Sequence, residues 1–150
     1  MNLREIEPLR HWQGFPVERL AAGDIGRLRH VQATWSMPLG QLDAGKLDDW
    51  MLSAPRNIVF EQAPHPLSQV HELCGAVLDG TAGPLEEREL APGQVFHPRW
   101  SGALRGERAT AEVSLGFGQE FECSRLVALG TDGSLEADLI HSSLTCERRS

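Results

Sequence analysis

Between Leu28 and Trp35 the apolar positions alternate, with Val31, Ala33 and Trp35 on one side and His30, Gln32 and Thr34 on the other. That is the period of a strand with one face buried. Leu42, Leu47, Trp50 and Met51 suit one face of a helix over 42–52, broken by Ala54-Pro55-Arg56-Asn57. From Ile58 to Gly75 a second apolar segment predicts a helix over most of its length. Before the strand, Phe15-Pro16-Val17 and Gly23 put a proline where a helix starts and a glycine where one ends, which predicts a short helix closing near Gly23.

The last third changes period. Turn signals at Arg105-Gly106-Glu107, Gly116-Phe117-Gly118 and Gly130-Thr131-Asp132-Gly133 separate short alternating runs, predicting an antiparallel meander. Its apolar face is assigned Ala109, Ala111, Val113 and Leu115, then Phe121, Cys123, Arg125 and Val127, then Leu135, Ala137 and Leu139. The opposite face then carries Leu126, Ala128, Ile140 and Leu144 beside Glu112 and Ser114, which is too apolar for open solvent, so a second chain is expected to cover it. Asp79 to Gly93, rich in Gly, Pro and Glu, reads as a surface loop. The expected fold is α+β, one domain over residues 1–150. Helices pack on one face of a largely antiparallel sheet of five or six strands, and the other face is used for dimerisation.

Composition narrows the partners. A chain of 150 residues supports one hydrophobic core. A net charge of -7 with scattered basic residues gives no stripe to neutralise phosphates, which argues against nucleic acid. No long apolar run or signal-peptide pattern occurs, so a soluble, cytoplasmic protein without a membrane partner is expected. Cys74, Cys123 and Cys146 are far apart and odd in number, which indicates neither a disulfide framework nor a zinc site.

Three motifs, in order, carry a family resemblance. Leu20-Ala21-Ala22-Gly23-Asp24-Ile25-Gly26 leads into the strand through a helix-ending glycine and an "IG" pair. Glu61-Gln62-Ala63-Pro64-His65 sets an acid four residues before a histidine, with Gly75 ten residues further in Leu73-Cys74-Gly75. Gly130-Thr131-Asp132-Gly133 forms a "GT-x-G" turn between two strands. Together they resemble the C-terminal, substrate-binding half of the Gfo/Idh/MocA oxidoreductases. The chain departs from that family in having Arg56-Asn57 where a glycine-rich stretch precedes the acid, Glu61 in place of aspartate, and Ser68 where a second aspartate follows the histidine. The family's nucleotide half carries G-x-G-x-x-G and a catalytic lysine. These 150 residues contain no G-x-G-x-x-G, and the only lysine, Lys46, stands at no matching position.

The resemblance implies a substrate cleft with His65 as acid/base and Glu61 orienting it, four residues apart and within reach on one helical face. His97, Trp35 and Gln69 are expected to line the same cleft. A single histidine is more often structural than catalytic, and for His97 and Trp35 loop and core packing is the simpler role. His71, His30, His11 and His141 show no telling acidic spacing. Glu61 and His65 supply at most two metal ligands, so no metal is expected.

Three functions follow. The first is a cofactor-independent isomerase, lyase or cyclase acting on a small polar substrate. The second is a non-catalytic subunit, a homodimer or the partner of a Rossmann-type chain. The third is part of an NAD(P)-dependent sugar or cyclitol oxidoreductase, with NAD(P) bound only if a separate Rossmann domain supplies it.

Overall fold

A computed structural model describes residues 2–8, 17–119 and 121–149. The proline-started helix entry at Pro16, Phe15 itself and His11 lie outside the described residues. The strands are β1 (Asn2–Pro8), β2 (Leu28–Met37), β3 (Val77–Pro84), β4 (Arg88–Ala91), β5 (Gln94–Phe96), β6 (Arg99–Gly106), β7 (Thr110–Phe117), β8 (Cys123–Gly130), β9 (Gly133–Asp138) and β10 (Ser143–Arg149). The helices are α1 (Val17–Ala21), α2 (Gly40–Asp43), α3 (Trp50–Ser53), α4 (Asn57–Gln62) and α5 (Pro64–Cys74).

Eight strands form one sheet in the order β1-β10-β9-β8-β2-β7-β6-β3, while β4 and β5 pair as a separate hairpin. Among the described strands only β2 and β7 run parallel; every other neighbouring pair is antiparallel. The fold is therefore α+β with a mixed, mostly antiparallel sheet, and α5 packs over β2, β7 and β6. The expected meander is interrupted, because β2 lies between β7 and β8. The chain between β7 and β8 has to pass β2, and a parallel neighbour needs a long crossover, which here runs from β2 through the helices α2 to α5 and the strands β3 to β6 to β7.

Helix ends follow the sequence signals. Gly23 just beyond α1 and Gly75 just beyond α5 have φ of 79° and 81°, the left-handed region glycine enters without penalty. The stretch from Leu42 to Leu52 is not one helix; α2 ends at Asp43, and α3 restarts at Trp50 with the Asp49 carboxylate accepting from the Met51 N–H. The half-buried Gln94 ties this segment down by donating to the carbonyls of Leu47 and Leu52 at 2.8 and 2.9 Å.

Register fixes which face is the core. Ala111 pairs with Val31, Val31 with Ala128, Ala128 with Leu135, and Leu135 with Cys146, a row on one face of five adjacent strands. All five residues are buried. In β8 this corrects the expected assignment by one residue. Leu126 and Ala128 face the core, whereas Cys123, Arg125 and Val127 face away, since a one-residue shift reverses every side chain of a strand. Leu144 is also in the core, and Phe121, 72% exposed, lies in the connection before β8.

The open face carries ion pairs, Arg125 to Glu136 at 3.0 Å, Arg4 to Glu147 at 3.5 Å and His30 to Glu112 at 3.4 Å, beside the apolar Val127 and the exposed Ile6. Such exposed pairs contribute about 0.2–1 kcal/mol each at most. Of the apolar residues expected on a covered face, Leu126, Ala128 and Leu144 are in the core, while Ile140 remains 37% exposed. Replacing Leu126 with Ala is expected to cost about 3 kcal/mol in urea unfolding, and Val127→Ala about 1 kcal/mol or less. Equal losses would contradict this facing.

Residues 79–93 are also more ordered than a loop. They form the edge strand β3 and the hairpin strand β4, and Gly80 lies so close to β6 that an added Cβ would meet Leu104 Cδ2 at 2.6 Å. At the other edge β1 pairs with β10 along its whole length.

Two of the sequence motifs clasp each other. The Arg27 N–H donates to Thr131 Oγ1 and the Thr131 N–H donates to the Arg27 carbonyl, both at 3.0 Å. The Asp132 N–H donates to the carbonyl of the fully buried Ile25 at 2.8 Å. The "IG" entry to β2 and the "GT-x-G" turn between β8 and β9 are one unit in space.

Candidate functional site

His65 is the second residue of α5, whose first turn accepts Pro64 and Pro66 because the N–H groups there have no intrahelical partner. Its imidazole is exposed and stacks on the Trp35 indole of β2, centroids 5.1 Å apart and planes 15° from parallel. That offset geometry fixes the plane of the ring. The Trp35 Nε1 is buried and finds no hydrogen-bond partner among the described residues.

Glu61 lies at the end of α4, and Ala63, the residue between α4 and α5, keeps helical φ and ψ of -61° and -28°, so the four-residue spacing runs along helical backbone. Both side chains are exposed and share no hydrogen bond. Nor does Glu61 cap α5, whose N-cap is Ala63 without a side-chain cap. Gln69 is half-buried one turn after His65 on α5.

His97 follows β5 and is half-buried. Its Nδ1 lies 2.7 Å from the Glu86 carbonyl, and its ring meets Trp100 edge-on at 5.5 Å. The Trp100 Nε1 donates back to the His97 carbonyl at 3.0 Å. Register unites the two histidine–tryptophan pairs: Trp35 and Trp100 are both partners of Leu115, one on each side of β7. Trp100, absent from the sequence-predicted set, thus belongs to the site; its nearness to His97 in Phe96-His97-Pro98-Arg99-Trp100 was the available signal.

The remaining histidines are elsewhere. His71 is exposed late in α5. His30 and His141 do have acidic partners, which spacing had not suggested: His30 Nε2 approaches Glu112 on the open face, and His141 Nδ1 lies 2.8 Å from Asp138. Burial raises the Asp138 carboxyl, but the backbone and side-chain hydrogen bonds from His141, with Arg125 nearby, outweigh it and hold the group below the usual carboxylate range. The i, i+3 spacing of Asp138 and His141 was the missed signal.

A hollow lies at the far end of α5 from His65. It holds about 610 Å³ between Val17, Leu20, Arg27, Leu28, Leu73 and Arg108. Arg108 is occupied there, donating to the Glu72 and Leu73 carbonyls at the end of α5. Burial pushes the Cys74 and Cys146 thiols up, with Arg108 and Arg148 opposing only in part, so neither is an activated nucleophile.

Among the described residues no group of three His, Cys, Asp or Glu side chains could hold a metal, and no helix is long and apolar enough to cross a membrane. A dinucleotide does not fit these residues either. Among the described residues β2 is followed by the four-residue α2 and not by a glycine-rich loop opening a long helix, and β2 and β7 are the only parallel neighbours.

No protein-family model and no curated protein matches the chain by sequence. Solved structures do match its fold. An inositol dehydrogenase homolog complexed with NAD+ from Azotobacter vinelandii superposes with a TM-score of 0.69 at 15% identity, covering 89% of this chain and 37% of its own. A myo-inositol dehydrogenase from Corynebacterium glutamicum gives 0.66 at 19% identity, over 81% of this chain and 35% of its own. A levoglucosan dehydrogenase in complex with NADH and levoglucosan gives 0.65 at 17% identity, again over 81% and 35%. The chain spans little more than a third of the length of these relatives. Fold and sequence motifs converge: the chain has the fold of the C-terminal domain of Gfo/Idh/MocA-type oxidoreductases.

Proposed function

We propose that this chain is a substrate-binding domain that presents one wall of a site for a small polyhydroxylated ligand, with His65 as the group that exchanges a proton with a ligand hydroxyl. The observation that carries this is the exposed His65 imidazole held flat against Trp35 at the end of the sheet. The ligand class comes from the fold relatives, which are dehydrogenases of inositol and levoglucosan. A proton acceptor open to solvent on one side needs a second surface to exclude water, and a dinucleotide-binding unit, on this or another chain, would provide both that surface and the hydride acceptor. Proton transfer from the hydroxyl is the part assigned to this chain.

The open position of His65 favours this reading over a free-standing acid–base enzyme that relies on His65 and Glu61 together. A scaffold role, with a homodimer or a Rossmann-type partner on the sheet's open face, has the weaker support of a surface that carries ion pairs.

Calorimetric titration of the chain with myo-inositol, levoglucosan, NADH and NADPH tests the proposal. A polyol is expected to bind in the millimolar range, roughly −4 kcal/mol, and neither nucleotide to bind the chain alone. Nucleotide binding by these residues, or polyol binding untouched by His65→Ala, would refute it.

A further inference from the structure

The two histidine–tryptophan pairs are not equivalent. His65 has its ring plane set by a stack, which leaves both nitrogens uncommitted to Glu61. His97 has its protonation pattern set by a bond. The Glu86 carbonyl, 2.7 Å from Nδ1, can only accept, so Nδ1 carries the hydrogen. In the neutral ring Nε2 is then a lone-pair acceptor, turned away from that carbonyl. Trp100 fixes the same residue twice, by its edge-on ring and by its Nε1 bond to the His97 carbonyl.

Sheet register brings this oriented acceptor to the site. With Trp35 and Trp100 on the strands either side of Leu115, their backbones are separated by two strand spacings, about 10 Å. Leu115, 8% exposed, places an apolar side chain between them in the sheet. The span suits one small ring with an apolar face below and hydroxyls at its edges.

We propose that His97 is the second ligand-contacting residue of the site. Its Nε2 accepts a hydrogen bond from a ligand hydroxyl on the β6 side, while His65 serves the hydroxyl on the β2 side. Glu61 has neither task. This rests on the polyol-site reading above and adds to it a residue and a polarity: the β6-side group of the ligand must be a donor.

The test uses the full chain labelled with 15N-histidine. Long-range proton–nitrogen correlation of the free protein should give His97 in the Nδ1–H form, and adding myo-inositol or levoglucosan should move the His97 Nε2 signal together with those of His65. H97N keeps a donor for the Glu86 carbonyl and removes the Nε2 acceptor, so its melting temperature should stay at the wild-type value while polyol affinity falls about tenfold. H97Q, which reaches the Nε2 position, should recover part of that loss. An Nε2–H form in the free protein overturns the proposal whatever binds. So does a polyol that shifts His65 but leaves His97 unmoved and H97N at full affinity, an outcome that leaves the role of His65 standing. A wild-type chain that binds neither polyol overturns the polyol-site reading, and this inference with it.

Discussion

Gly130→Ala is expected to be among the most destabilising single-methyl substitutions in this chain, at about 3 kcal/mol. A Cβ at residue 130 would sit 2.2 Å from the Ile25 carbonyl oxygen and 2.8 Å from Ile25 Cγ1, where no real Cβ can be. The neighbour cannot give way easily, because the Ile25 carbonyl accepts from the Asp132 N–H and its side chain is fully buried. Relief would require separating the entry to β2 from the β8–β9 turn, which breaks the reciprocal Arg27–Thr131 bonds as well. For a domain of this length a loss of 3 kcal/mol lowers the melting temperature by roughly 6–12 °C. Gly23→Ala makes a control, since nothing lies within 4 Å of a Cβ there and only the positive φ is penalised, at about 1 kcal/mol. Similar melting temperatures for the two variants would show that the clasp yields.

The second large effect concerns chemistry. In the catalytically competent protein, His65→Ala is expected to lower turnover by about 10²–10⁴, the range for loss of a positioned proton-transfer group. Glu61→Gln should change turnover by only about a factor of two, as expected for an exposed side chain that bonds to nothing at the site. Steady-state rates at saturating polyol separate the cases. If Glu61→Gln falls as far as His65→Ala, the two act as a pair in a closed form of the site.

The sequence made much of the core legible because alternation is a direct record of burial. Val31, Ala33, Ala111 and Val113 face inward as the period demands. In β8 the record is ambiguous. Leu126, Val127, Ala128 and Leu129 are apolar in succession, so either face could be the inner one, and only pairing with β2 and β9 decides. The edges were hidden for a different reason. β3 contains Gly80, Gly83 and Pro84, residues of poor strand propensity, and β1 mixes Glu5 and Glu7 with Leu3 and Ile6. Both strands are secured by their partners' backbones, which leave no mark in their own side chains. For the site, a motif marked His65, but its stacking partner is thirty residues earlier. The alignment of Trp35 with Trp100 across Leu115 exists only in the register of three strands.

The position of β2 in the sheet also sets the order in which the chain can be completed. It precedes both of its sheet neighbours along the chain, β7, paired from Thr110 onward, and β8, paired from Cys123 onward. Until those residues have been synthesised, a strand that bears Val31, Ala33 and Trp35 has both hydrogen-bonding edges open. The cost of bringing its partners back is that of closing a loop of roughly eighty residues, and it must be met before any contact of the central sheet repays it. A nascent chain halted before β8 therefore holds the imidazole and the indole of its site without the sheet that aligns them.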